Sequence, residues 1–154
     1  MSLHAVAALL SALHLLALAL GLPAIVLRAR ALSGPRERIV PGRVLAADTA
    51  WGVAALLWLL TGPARAFGPL EKGSAFYLGS WLFYVKMALF LLVFVLEIRP
   101  MIALMRWRAQ LRRGETLDLS RAGSYATTSW IEAALVIAIV FVASFMARGF
   151  GLRH

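Results

Sequence analysis

The chain has 154 residues, 62% of them hydrophobic and 15% charged, with a formal charge of +9 and a mean hydropathy of +0.82. Soluble domains run nearer ~45–50% apolar and ~25% charged, so this much apolar surface excludes a chain dissolved in water and makes lipid its natural solvent. The absence of cysteine excludes disulfides, thiolate metal sites and thiol chemistry, and in a membrane chain a basic excess reports topology rather than nucleic-acid binding.

A hydrocarbon core of ~30 Å needs ~20 apolar residues in a helix, and lipid offers backbone N–H and C=O groups no partner, so each span is helical. The first predicted span covers about 4–27. No Lys or Arg precedes it, and it is longer than the ~7–15-residue core of a signal peptide, so it reads as a retained transmembrane helix. The loop after Leu27, "RARALSGPRERIVPGR", carries five arginines and is punctuated by Ser33-Gly34-Pro35 and Pro41-Gly42. The second predicted span covers about 44–66, and its loop holds Arg65 and Lys72. The third covers about 80–104, with Pro100 expected to kink the helix or end its regular hydrogen bonding. The third loop, around "RWRAQLRRGETLDLSR", again has five arginines, and Asp118 or Ser120 is the expected N-cap of the fourth span. That span covers about 125–147, with Arg148 and Arg153 beyond it. The positive-inside rule puts the two arginine-rich loops in the cytoplasm and both termini outside. The expected fold is an all-α integral membrane four-helix bundle, N-out and C-out, forming a single membrane domain.

Spans two and four read alike. With Trp51 laid on Trp130, Ala54-Ala55-Leu56 falls on Ala133-Ala134-Leu135, and the two spans finish with "ARAFG" and "ARGFG". Spans one and three share a proline followed by two arginines, Pro23 with Arg28 and Arg30, and Pro100 with Arg106 and Arg108. This suggests two tandem helical hairpins, about 1–68 and 78–151, related by an axis along the membrane normal. Chance likeness between apolar helices is the plainer alternative.

Ionisable residues inside spans are costly and tend to face a bundle interior. His14 lies about ten residues from the outer end of the first span, ~15 Å deep, on a face of small residues, Ala7, Ser11, Ala17 and Gly21. Such a face admits a neighbouring helix or a flat cofactor, and neutral imidazole ligates metals and haem. The other reading of His14 is an interhelical hydrogen bond. Lys86 is ~9 Å inside the third span, where it either snorkels or holds an anion. Asp48, Glu97 and Glu132 occupy the inner halves of their spans, either pairing with loop arginines or forming an acidic proton relay. Trp51 and Trp58 form a packing stripe on span two. No Gly-rich phosphate loop, H-E-x-x-H or Ser/His/Asp set is present. Besides His14 there are only His4, at the outer edge, and His154, the last residue, so a bis-histidine haem lacks its second ligand.

The runs "RVLAADTAWGVAALLWLLTGPARAFGPLEKGSAFYLG", "KMALFLLVFVLEIRPMIAL" and "FMARGFG" resemble, over nearly the whole chain, a bacterial family of four-helix membrane proteins with no assigned function. That implies a multi-pass protein of the bacterial inner membrane. The chain is also distantly similar to the haem-b-containing membrane protoporphyrinogen IX oxidases of the HemJ type, which place a histidine in the first span and a lysine in the third. His14 in "ALHLL" and Lys86 in "WLFYVKMALFLLVF" stand in similar places. The fourth span departs from that family's Asn-Glu-Pro-like start, with Glu132 in "TTSWIEAAL" as the corresponding acid. The resemblance implies a haem b or porphyrin redox protein, with His14 on the haem iron and Lys86 on a propionate. CopD-type copper-resistance proteins are a further likeness, although Met87, Met101, Met105 and Met146 form no M-x-x-M or His-Met site. The alternatives are a cofactor-free structural or accessory membrane protein, as a homodimer or within a larger assembly, and a copper or proton transporter.

Overall fold

A computed structural model describes residues 2–67 and 73–152. Lys72, Arg153 and His154 lie outside the described residues, as do the ends of the first hairpin copy at Met1 and Gly68. The chain forms α1 (Leu3–Leu32), a single 3₁₀ turn (Arg36–Arg38), α2 (Pro41–Phe67), a short α3 (Gly73–Leu78), α4 (Trp81–Arg112) and α5 (Ala122–Ala147). The four long helices are apolar and long enough to cross a membrane. At 1.5 Å per residue they run about 39–48 Å, well beyond a ~30 Å hydrocarbon core.

Local chemistry sets their ends. Ser2 caps α1, its Oγ accepting the Ala5 N–H at 3.3 Å. Pro41 opens α2 at the first helical position, where a missing N–H costs nothing. Three expectations need correction. Helix α1 runs on to Leu32, so Arg28 and Arg30 are helical and not in the loop. Helix α4 likewise runs past residue 104 to Arg112, so of the two outcomes expected at the buried Pro100, a kink or an end, the end does not occur; one proline removes one ladder bond, and the good helix formers after it carry the helix on. Neither Asp118 nor Ser120 caps α5, which begins after Arg121. The Asp118 carboxylate instead accepts the Ser120 N–H at 2.9 Å, a local turn ahead of the helix.

Helix α1 packs along α2 and, on its other side, against α5, which packs against α4. Helix α2 meets α4 only briefly, and α1 and α4 lie on a diagonal. Buried residues stack in three layers. Leu32, Val44, Leu104 and Trp107 fill the arginine-rich end; Ala24, Ile25, Trp51, Val93 and Val136 fill the middle; Ala66, Tyr77, Leu82, Phe83 and Met146 fill the opposite end. Leu16, Leu60, Leu91 and Phe141 are among many large apolar residues facing outwards, the pattern of a bundle solvated by lipid. Gly21 marks a close approach of α1 to α2: a Cβ there would lie 2.8 Å from the Trp58 ring and 2.9 Å from the Ala54 Cβ. The aligned tryptophans of the two hairpins differ in setting, Trp51 being buried and Trp130 43% exposed.

Candidate functional site

The inner stripe of α1 runs through Ala17, Gly21, Ala24, Ile25, Arg28 and Leu32, spacings of three and four that keep one helical face inward. On that stripe an arginine replaces an apolar side chain, and it is fully buried. A guanidinium has five N–H donors, and all five are used. Nε donates to Ser129 Oγ at 3.0 Å. Nη1 donates to Asp48 Oδ1 and Glu97 Oε1, both at 2.8 Å. Nη2 donates to Glu97 Oε2 at 2.5 Å and Glu132 Oε2 at 2.8 Å. Glu97 therefore grips the fork at both prongs, the strongest arrangement for this pair. One side chain of α1 thus ties together α2, α4 and α5.

Two further groups complete the cluster. Ser129 gives its own proton to the Tyr125 carbonyl at 2.9 Å, which leaves its oxygen to accept from Arg28. Arg108 of α4 reaches Asp48 Oδ2 at 2.8 Å, the Thr49 hydroxyl at 3.0 Å and the Leu45 carbonyl at 3.1 Å. Asp48 therefore bridges two arginines, one oxygen to each. The set holds two guanidinium groups and three carboxylates. Its exposure is uneven: the Arg108 side chain is 30% exposed and that of Glu97 17%, while Arg28, Ser129 and Glu132 are fully enclosed. Glu132 Oε1 and the Trp51 indole N–H are, with Ser80 Oγ at the opposite end, the side-chain polar atoms buried without a hydrogen-bond partner among the described residues. Counting ~20 residues from Phe67 and Ala147 towards the arginine-rich ends of α2 and α5 puts the cluster at one boundary of a ~30 Å core.

Of the residues singled out in the sequence, Asp48, Glu97 and Glu132 are brought together, around a guanidinium that the charge pattern alone assigns to a loop. Arg28, Arg108 and Ser129 are not flagged by sequence reasoning. The stripe spacing of α1 is the available signal, since it carries from His14 through Ala17 and Gly21 to Arg28.

His14 lies elsewhere, half-buried at the contact of α1 with α2. Its Nδ1 is 2.7 Å from Thr61 Oγ1. Thr61 spends its one hydroxyl proton on the Leu57 carbonyl at 2.6 Å, so the ring nitrogen is the donor, Nδ1–H to Oγ1. A Cβ on Gly62 would stand 4.0 Å from the His14 Cε1. The part of the small-residue face around Gly21 and His14 is thus in contact with α2, with Trp58 over Gly21 and Thr61 on His14. Lys86 is half-buried on α4, the diagonal helix, and outside the Arg28 cluster. Two of the bundle's surface grooves border α2. One, of ≈ 450 Å³, is walled by Leu59, Met87, Ala88, Phe90, Leu91 and Phe94; the other runs between α1 and α2 at the arginine-rich end. Neither of these two is lined by His14 or Lys86. Among the described residues no group of three or more His, Cys, Asp or Glu is arranged to hold a metal ion; a guanidinium occupies the centre of the acidic trio.

Four apolar helices closed around one buried arginine define a multi-pass helical membrane protein with a polar core at one end. The chain belongs to the family described as predicted membrane protein (DUF2214), whose model matches residues 6–151. No match was found among curated proteins or solved structures, and the likeness to haem-containing oxidases has no counterpart in these comparisons.

Proposed function

We propose that the protein is a cofactor-free accessory protein of the bacterial inner membrane that exchanges one proton at the Arg28 cluster, with the arginine-rich end in the cytoplasm and both termini outside. The observation that carries this reading is the imbalance of charge: two arginines face three carboxylates, and one of those carboxylates, Glu132, is fully buried with Oε1 unpartnered among the described residues. A neutral carboxyl is far cheaper to bury than an ion. With Glu132 as the acid, Asp48 and Glu97 balance Arg28 and Arg108, and the buried set is neutral. Loss of that proton puts a net negative charge between four helices. Glu97 and Arg108, partly exposed, form the side through which the proton is exchanged. Potentiometric titration of the purified protein tests this: Glu132→Gln is expected to bind one proton fewer per chain than the wild type. Equal proton uptake by the two would defeat the proposal. The competing haem b reading, with His14 on the iron and Lys86 on a propionate, requires a Soret band in protein supplied with haem, lost in His14→Ala; the proton reading expects no such band.

A further inference from the structure

The α1–α2 groove at the arginine-rich end has a volume of ≈ 660 Å³ and two chemically different parts. Its floor and walls are apolar and low in relief, with Leu20, Pro23, Ala24 and Leu27 from α1 facing Ala47 and Ala50 from α2. Its mouth is formed by Arg30 and Arg43. Both arginines are exposed, and among the described residues neither makes an ion pair, although the neighbouring Arg28 and Arg108 are each committed to carboxylates. The length of the groove also has meaning. From Arg30 down to Ala19 is eleven residues of α1, ~16 Å of helix, against ~15 Å for half of a ~30 Å hydrocarbon core. Two cations at the membrane boundary above an apolar slot one leaflet deep match one molecule that every bilayer leaflet supplies.

We infer that this groove is a binding site for a single anionic phospholipid of the surrounding membrane, its phosphate held between Arg30 and Arg43 and an acyl chain laid in the alanine-lined slot. Guanidinium groups suit phosphate oxygens because their planar N–H pairs match the anion's geometry. Two arginines with no acidic partner favour a lipid with net negative charge over a zwitterionic one, whose own ammonium is repelled. The site is separate from the Arg28 cluster and independent of the proton proposal. At ~1 kcal/mol per arginine at a membrane surface, two arginines give a preference of about 30-fold for the anionic lipid.

Native mass spectrometry of the delipidated full chain in detergent, titrated with phosphatidylglycerol or phosphatidylcholine, tests this. The expected result is one phosphatidylglycerol retained, preferred about 30-fold over phosphatidylcholine. Arg30→Gln/Arg43→Gln, at two exposed positions, is expected to abolish the preference. Ala46→Leu/Ala50→Leu, which fills the slot with both charges intact, is expected to abolish retention as well. Equal binding of the two lipids overturns the inference. Retention that survives the slot-filling pair also overturns it, because surface charge alone would then explain the binding. A change of oligomeric mass in the slot-filling pair would assign the groove to a second copy of the chain and overturn it too.

Discussion

Replacing Arg28 with methionine removes all five donors at the centre of the cluster and leaves Asp48, Glu97 and Glu132 facing one another with only Arg108 nearby. Deleting one partner of a buried ionic set typically costs ~3–5 kcal/mol, a large share of a total stability of ~5–15 kcal/mol. Glu132→Gln is expected to behave differently. Glutamine keeps a side-chain oxygen for the Nη2–H of Arg28 and is neutral like the protonated acid it replaces, so its stability should stay within about 1 kcal/mol of the wild type. Arg28→Met should also cost less when Asp48→Asn, Glu97→Gln and Glu132→Gln are present, since exchanging a whole buried ionic set for neutral groups is often near neutral. The assay is unfolding by sodium dodecyl sulfate in mixed micelles, monitored by helical circular dichroism. If Glu132→Gln costs as much as Arg28→Met, Glu132 is needed as an ion and the charge count is wrong. If Arg28→Met costs under about 1 kcal/mol, the cluster does not hold the helices.

Gly21→Ala places a Cβ 2.8 Å from the Trp58 ring and 2.9 Å from the Ala54 Cβ; overpacking of ~1–3 kcal/mol outweighs a helix-propensity gain of ~1 kcal/mol, so the same unfolding assay should show a loss, relieved in part in Trp58→Leu. Thr61→Val keeps shape but takes away the acceptor for the His14 ring, and should cost about 1 kcal/mol; no change in stability would mean that the 2.7 Å contact contributes nothing. Asp118, outside the spans, is held below the usual carboxylate range by hydrogen bonds from the Ser120 side chain and backbone N–H, with Arg36 and Arg121 adding to it. A depressed folded value means that its contribution is complete above ~3.9 and is lost as pH falls through the lower folded value. Hydrogen exchange at the Ser120 amide should therefore lose protection on acidification, and Asp118→Asn should remove that pH dependence.

The four spans and their order are legible because a run of about twenty apolar residues has few other uses. Their ends at the arginine-rich side are not. Arginine is both a good helix former and the residue that marks cytoplasmic loops, and the second use hides the first at Arg28, Arg30, Arg106, Arg108 and Arg112. The acidic trio stands out as three charges in apolar helices, so Asp48, Glu97 and Glu132 can be singled out together. Their common partner is hidden because Arg28 doubles as a topology signal, although a cation on the buried stripe of α1 is what three interior acids require. His14 is legible as a midplane anomaly on a small-residue face. That its partner is Thr61 depends on how α1 and α2 are set against each other, and no feature of either span alone fixes that register.

The central claim is that Glu132 carries a proton inside a cluster whose other charges cancel. Infrared spectroscopy with isotope-labelled glutamate reads this directly through the carbonyl stretch of a protonated carboxyl. Such a band is expected in the wild type near neutral pH, absent in Glu132→Gln and retained in the slot-filling pair of the α1–α2 groove. A wild type without the band, or a band undiminished in Glu132→Gln, would contradict it.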